Sequence, residues 1–183
     1  MKAVNLSISM GLLVISGYTF AADNIYIGAD AAISNTTKLE YKDLSIDETN
    51  DLGANLFAGY NFDINSSFNL GIEAEYRKFG ETSYSDGIKG DGQAFYINAR
   101  PKFIDNGNNL YSAFILGIGH LSVDTTGFNE SYSDSKIAYQ VGVEAGYMIK
   151  NVDIAIGYRY QIADFDGVDM SVHGVTAGVR YNF

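Results

Sequence analysis

Three groups of residues in this chain carry side chains from which chemistry could be built. His120-Leu121-Ser122 sets an imidazole and a hydroxyl two residues apart, on one face of an extended strand. Such a pair can activate a serine nucleophile when an acid completes it, and Glu130 is the nearest downstream glutamate. Asp164-Phe165-Asp166-Gly167-Val168-Asp169 offers three carboxylates to a divalent cation, without the spacing or length of an EF-hand loop. The third group is the largest: Glu73, Glu75, Arg77, Arg100, Lys102, Glu144, Asp153, Arg159 and Arg180, single charges interleaved with glycine. Their mixed sign suits mutual pairing better than capture of one kind of ion. There is no Cys, which excludes disulfides, thiolate metal sites, thiol catalysis and a Cys-linked lipid anchor. No Gly-rich phosphate loop or nucleotide motif is present. The expectation is no catalytic site, no cofactor and no resident metal.

The elements that must carry these residues follow from a period of two. In Asp51 to Phe62, one face reads Leu52, Ala54, Leu56, Ala58, Tyr60 and Phe62, against Gly53, Asn55, Phe57, Gly59 and Asn61. The same alternation runs through Asn24 to Ile33, Phe68 to Phe79, Gln93 to Phe103, Ile137 to Lys150, Val152 to Gln161 and His173 to Phe183. Leu110 to Ser122 is apolar on both faces. Placing its Gly117 and Gly119 with the other strand glycines on the polar side sends Phe114, Leu116, Ile118 and His120 to the apolar side. Eight strands result. With 20 Gly, 14 Tyr, 11 Phe, one Pro and no Trp in 183 residues, the composition fits a single β-domain rather than a helical bundle or a disordered chain.

Asp63 to Ser67, Ile104 to Asn109 and Lys150-Asn151 read as tight turns. Ser34 to Asp51, Gly80 to Asp91, Val123 to Lys136 and Asp164 to Met170 read as longer polar loops, which describes an up-and-down antiparallel meander. Residues 1–21 have the form of a cleaved export signal: Lys2, an apolar run from Leu6 to Ile15, and Thr19-Phe20-Ala21 before a new N-terminus at Ala22. Residues 22–183 then form the one domain.

An eight-strand barrel has a narrow interior that side chains must fill. In a water-soluble barrel the apolar face lies inside; in a membrane barrel it lies outside. Here the polar face holds charges of both signs, as a closed lumen of paired charges requires, and the apolar face is almost free of charge, with Lys78 the exception. Aromatics on the apolar face gather at two heights. Tyr60, Phe62, Phe68, Phe103, Tyr147, Tyr181 and Phe183 lie toward the short turns; Tyr76, Phe95, Tyr139, Tyr158 and Tyr160 lie toward the long connections. Two aromatic rings around an aliphatic band mark two membrane–water interfaces. The expected fold is an all-β, eight-stranded antiparallel up-and-down transmembrane β-barrel.

The chain is similar to the small eight-stranded outer-membrane barrels of Gram-negative bacteria, the OmpX, Ail and OmpA N-terminal-domain group. Tyr26-Ile27-Gly28-Ala29 and the C-terminal run from Gly174 to Phe183 carry this resemblance, which spans Ala22 to Phe183. It implies a barrel-assembly signal at Val179, Tyr181 and Phe183, read by the barrel-assembly machinery. It also implies contact with outer-membrane lipids and lipopolysaccharide, a monomer, and a structural or adhesion-like role with a host or phage surface partner. His120-Leu121-Ser122 resembles the His-x-Ser of outer-membrane lipid A deacylases, though it stands elsewhere in the barrel, so a lipid A-modifying enzyme is one alternative. A narrow porin-like channel is the other.

The four long connections hold 14 acidic and four basic residues, a net −10 that nearly equals the −11 left to the chain once Lys2 is lost with residues 1–21. That charge excludes a nucleic-acid footprint and argues against polyanionic partners. In the lumen, Glu73 and Glu75 are expected to face Arg100 and Lys102 across one hairpin, and Glu144 to face Arg159 across another, with Arg180 on the closing strand.

Overall fold

The computed structural model describes residues 24–41, 44–80, 82–83, 89–127, 130–165 and 168–183. The export signal expected at residues 1–21 lies outside them. Ten antiparallel strand segments follow one another: β1 (Ile25–Tyr41), β2 (Leu44–Asn50), β3 (Gly53–Asn65), β4 (Phe68–Lys78), β5 (Thr82–Ser83), β6 (Lys89–Asp105), β7 (Leu110–Gly127), β8 (Glu130–Ile149), β9 (Val152–Phe165) and β10 (Val168–Asn182).

These ten segments make eight strands, two of them interrupted. β2 and β3 lie along the same edge of β1, β2 beside Asn35 to Tyr41 and β3 beside Ile25 to Ala32. β4 and β5 share an edge of β6 in the same way. The two breaks, at Asp51-Leu52 and Phe79-Gly80, touch each other. A Cβ on Gly80 would run into the Asp51 carbonyl, so glycine is what lets the two chains pass. Each strand pairs with the next, and β10 closes on β1 from Tyr26↔Asn182 to Glu40↔Asp169. The result is the expected up-and-down barrel, whose closed ring leaves every neighbour bonded.

The turns at one end are tight. Lys150 takes the left-handed conformation, φ 55°, that its two-residue hairpin turn demands, and Asn109 takes it at φ 56° to close the four-residue β6–β7 turn. Asn106 Nδ2 donates to the Ser66 carbonyl oxygen at 2.9 Å, tying the β6–β7 turn to the β3–β4 turn. Gly107 N–H and the Asn108 amide both donate to the Asp105 carboxylate, at 3.0 and 2.8 Å, and hold that carboxyl below its usual range.

Three of the four polar stretches expected as long loops are instead largely strand among the described residues, and the described part of Gly80 to Asp91 includes β5 and the start of β6. β1 runs on to Tyr41 with β2 returning beside it, β7 and β8 extend to Gly127 and from Glu130, and β9 and β10 extend to Phe165 and from Val168. Polarity alone suggested loops there. Runs such as Thr36-Thr37, Thr125-Thr126 and Ser131-Tyr132-Ser133 nevertheless favour extended backbone, and a strand with water outside tolerates polar side chains. β7 has 18 residues and β8 has 20, where a membrane crossing takes about 9–11. The surplus stands beyond one aromatic ring as a collar.

Across that boundary the strands exchange inside for outside. In the lower barrel the outward face is aliphatic and bare: Leu116 is 53% exposed, Val141 51% and Ile156 58%. The inward face is charged and buried. Inward in the collar an apolar cluster gathers Phe79, Ala94, Leu121, Ala138, Ala163 and Val172, with Val123, Phe165 and Met170 packed on it and the buried Thr37 opposite Val172. Outward in the collar stand Gln93, Ser135, Asp164 and Asp169. The lower barrel is built for lipid outside; the collar is built for water.

Candidate functional site: the charged lumen beneath an apolar cap

The inward face of the lower barrel gathers large side chains because glycines stand opposite them. Gly59 and Gly71 leave room for the Tyr26 ring, Gly146 for Tyr111, and Gly117 for Asn98 and Gln140. Five acids and five bases share the space: Asp30, Glu73, Glu75, Glu144 and Asp153 with Arg77, Arg100, Lys102, Arg159 and Arg180. They sort into two layers, each neutral.

In the layer nearer the short turns, Glu144 accepts from Arg100, from Arg180 at 3.2 Å and from the Tyr111 hydroxyl at 2.9 Å. Lys102 Nζ lies 2.8 Å from Asp153, and Arg180 lies 3.6 Å from Glu73. Rings cover the cations. The Lys102 ammonium sits 4.2 Å from the Tyr111 centroid, and the Arg180 guanidinium lies 4.8 Å from Phe57 and 5.0 Å from Tyr26.

The second layer centres on Glu75. Its Oε2 takes Arg159 at 2.9 Å, Gln140 at 2.8 Å and Asn98 at 2.6 Å, while Arg77 approaches Oε1 at 3.3 Å. Arg159 also reaches Asp30 at 3.6 Å, and Asp30 accepts from Asn55. Asn98 donates to Glu73 as well, at 3.1 Å, and so joins the layers. A cavity of about 10 Å³ remains among Asp30, Phe57, Glu144, Asp153, Thr176 and Arg180, the size of a single water. Above the second layer, Arg77 lies 5.8 Å from the ring of Phe79, where the apolar cap begins.

The structure places Glu73, Glu75, Arg100, Lys102, Glu144, Arg159 and Arg180 in this one network, with partners other than those expected from the hairpins. Arg100 stands opposite Gly71 and Lys102 opposite Asn69; Glu144 faces Gly157 and Arg159 faces Gly142. With a glycine or asparagine across each hairpin, the long side chains reach over the lumen instead, from β6 to β8 and β9 and from β4 to β9. Sequence reasoning left Asp30 out. Its signal was available, because Tyr26, Gly28, Asp30 and Ala32 form one period-two face. Asn98, Gln140 and Tyr111, which donate to the lumen carboxylates, were also missed; uncharged residues on the polar face carry no charge signal to single them out.

Val179 and Tyr181 on β10 point outward, with Phe183 just past its end, each about half exposed, and the rings of Tyr181 and Phe183 meet edge-on at 4.9 Å. The Phe183 N–H donates to the Ile25 carbonyl oxygen at 2.9 Å, tying the C-terminus to the first strand. The Ser122 hydroxyl bonds to Ser135 at 3.1 Å, and no hydrogen bond joins it to His120 among the described residues. The Glu130 side chain and Asp166 fall outside the description; Asp164 and Asp169 face one another across the β9–β10 hairpin.

Solved structures with this architecture share little sequence with the chain. Neisserial surface protein A superposes with a TM-score of 0.61 at 19% identity, over 87% of this chain and 97% of that one. Ail, the attachment invasion locus protein of Yersinia pestis, gives 0.56 at 20% identity, over 87% and 99%. The N-terminal β-barrel domain of Pseudomonas aeruginosa OprF gives 0.55 at 14% identity, over 88% and 98%. No curated protein sequence matches the chain. The sequence pattern of the outer membrane protein beta-barrel domain, however, matches residues 7–183. The match covers almost the whole chain, and the chain belongs to this outer-membrane β-barrel family.

Proposed function

We propose that the barrel is a sealed scaffold with a structural or surface-interaction, adhesion-like role, carried by the acidic hairpins of its collar on the cell-surface side. The observation that carries this reading is the lumen: two neutral charge layers around a cavity of about 10 Å³, beneath an apolar cap. Paired charges at this diameter leave no continuous water path, and an apolar layer above them raises the barrier for an ion further. Planar-bilayer recordings of the purified barrel are expected to show no reproducible steps. Large, regular conductance would instead favour the narrow porin-like channel.

The surface role is supported by how the collar is made, as paired strands that present acidic side chains to water. Ail has been solved with the heparin analogue sucrose octasulfate. The acidic hairpins here favour a partner with a cationic face over such a polyanion. Protease accessibility of the collar on whole cells, together with a surface phenotype on knockout, tests the role; hairpins shielded from external protease would count against it.

Val179, Tyr181 and Phe183 are proposed as the assembly signal, since they lie side by side on the outer face of the strand that closes the barrel. Deleting Phe183 is expected to lower the amount of heat-modifiable barrel in outer-membrane fractions. Unchanged levels would sink this assignment.

A further inference from the structure

His173 stands on the outer wall of β10 at the height where the wall changes from apolar to polar. On the same face, Val175, Ala177 and Val179 lie on its membrane side, and Asp169 and Ser171 on its collar side. Its ring is held from two directions by β9. Tyr160, directly opposite in the ladder, stacks on it with centroids 6.1 Å apart and planes 18° from parallel. Tyr158, the diagonal neighbour, brings its hydroxyl to 2.9 Å from His173 Nδ1.

Both tyrosines remain open to the surroundings, Tyr158 at 44% and Tyr160 at 37%. The imidazole is thus positioned rather than free to rotate, on a surface that faces headgroups. When the Tyr158 hydroxyl donates to Nδ1, the imidazole carries its proton on Nε2. The hydrogen bond to Tyr158 is the one this ring makes among the described residues. Nε2–H is then a fixed donor at headgroup depth. The acceptors available at that depth are the oxygens of lipid headgroups, of which phosphoryl oxygens are the strongest.

We propose that His173, held by Tyr158 and Tyr160, forms a subsite on the barrel wall for the phosphoryl group of a membrane lipid. His120 provides an internal control. It occupies the outer face of β7 opposite Phe95 and Ile137, and makes no hydrogen bond among the described residues.

The test is native mass spectrometry of the folded barrel in neutral detergent, titrated with dioleoyl phosphatidate or with dioleoylglycerol, which differ only in the phosphoryl group. The wild type is expected to hold phosphatidate roughly tenfold more tightly, the scale of one charge-assisted hydrogen bond. His173→Phe and the milder Tyr158→Phe should each erase most of that preference, and His120→Phe should keep it. Heat-shifted migration on a gel verifies that each variant is folded. Inorganic phosphate in large excess should leave the bound lipid in place; displacement would mean a site for the free anion and would overturn the lipid assignment. An unchanged preference in both folded variants, or an equal loss in His120→Phe, would overturn the subsite.

Discussion

The lower barrel and the collar are made from the same strands and solve opposite problems. Along β7, Ile115 and Leu121 both point inward and both are buried, yet Ile115 stands opposite Gly142 in the row that Arg159 occupies, while Leu121 lies among Phe79, Ala94 and Val172. Outward on the same strand, Leu116 is bare in one region and Ser122 hydrogen-bonds to Ser135 in the other. A strand alternates whatever surrounds it; the medium outside selects which set of side chains goes in. Where lipid lies outside, burial is electrostatic and the charges must neutralise one another locally. Where water lies outside, burial is hydrophobic and an apolar cap suffices. The aromatic ring containing Phe95, Tyr139, Tyr158 and Tyr160 marks the height at which the rule changes.

That contrast is most directly broken in the lumen. Glu144→Gln leaves Arg100 and Arg180 without their shared carboxylate and is expected to destabilise the barrel by about 3–5 kcal/mol, the usual cost of stranding a buried charge. Glu48→Gln, in the collar's first hairpin, should stay within about 0.5 kcal/mol. Urea midpoints in detergent would compare the two, and equal midpoints would mean a hydrated lumen.

In the collar the corresponding injury is a cavity. Leu121→Ala should cost about 2–4 kcal/mol through lost burial. It should also raise amide hydrogen exchange in the collar strands while leaving the lower barrel protected. Exchange that rises equally throughout would show that the cap and the lumen unfold as one unit.

The outer face gives the mirror test on β7. Leu116→Lys puts a charge against lipid and is expected to cost about 2–4 kcal/mol in bilayers. Ser122→Lys, six residues along the same face, should be nearly silent at about 0.5 kcal/mol or less. A similar cost at both positions in bilayer refolding titrations would move the interface above Ser122.

The smallest effect belongs to the tight-turn end. Hydrogen bonds from Gly107 and Asn108 lower the folded pKa of Asp105, so its contribution is present above the ordinary carboxylate pKa and fades as pH falls through the folded value. The wild type should exceed Asp105→Asn in stability at neutral pH, and the gap should close as pH falls below the ordinary carboxylate range. A gap independent of pH would mean that the Asp105 charge does not hold this turn.

Much of this architecture was legible in the chain. Period-two alternation located the eight strands, and the strand glycines set the register of Leu110 to Ser122, where hydropathy was silent. Mixed charge between aromatic rings identified lipid as the outer medium. The collar was not legible, because Thr, Ser and Asp read as loop until a partner strand lies beside them. Nor was its apolar interior: Leu121, Ala163 and Val172 look like any other inward or outward residue until Phe79 folds in from a strand break to meet them. For the candidate lumen network, the charged members could be read from one face of each strand, but their partners could not.

By itself, then, the sequence determined which residues share a face and which medium each face can tolerate, since both depend on neighbours two positions away and on side-chain polarity. Only the tertiary structure decided who pairs with whom. The curvature and closure of the ring bring β6 opposite β8 and β9, and they carry Glu75 to Arg159, 84 residues apart in the chain. A pairing across a lumen depends on the barrel's diameter and on the register of every ladder between the partners. No local pattern encodes that distance.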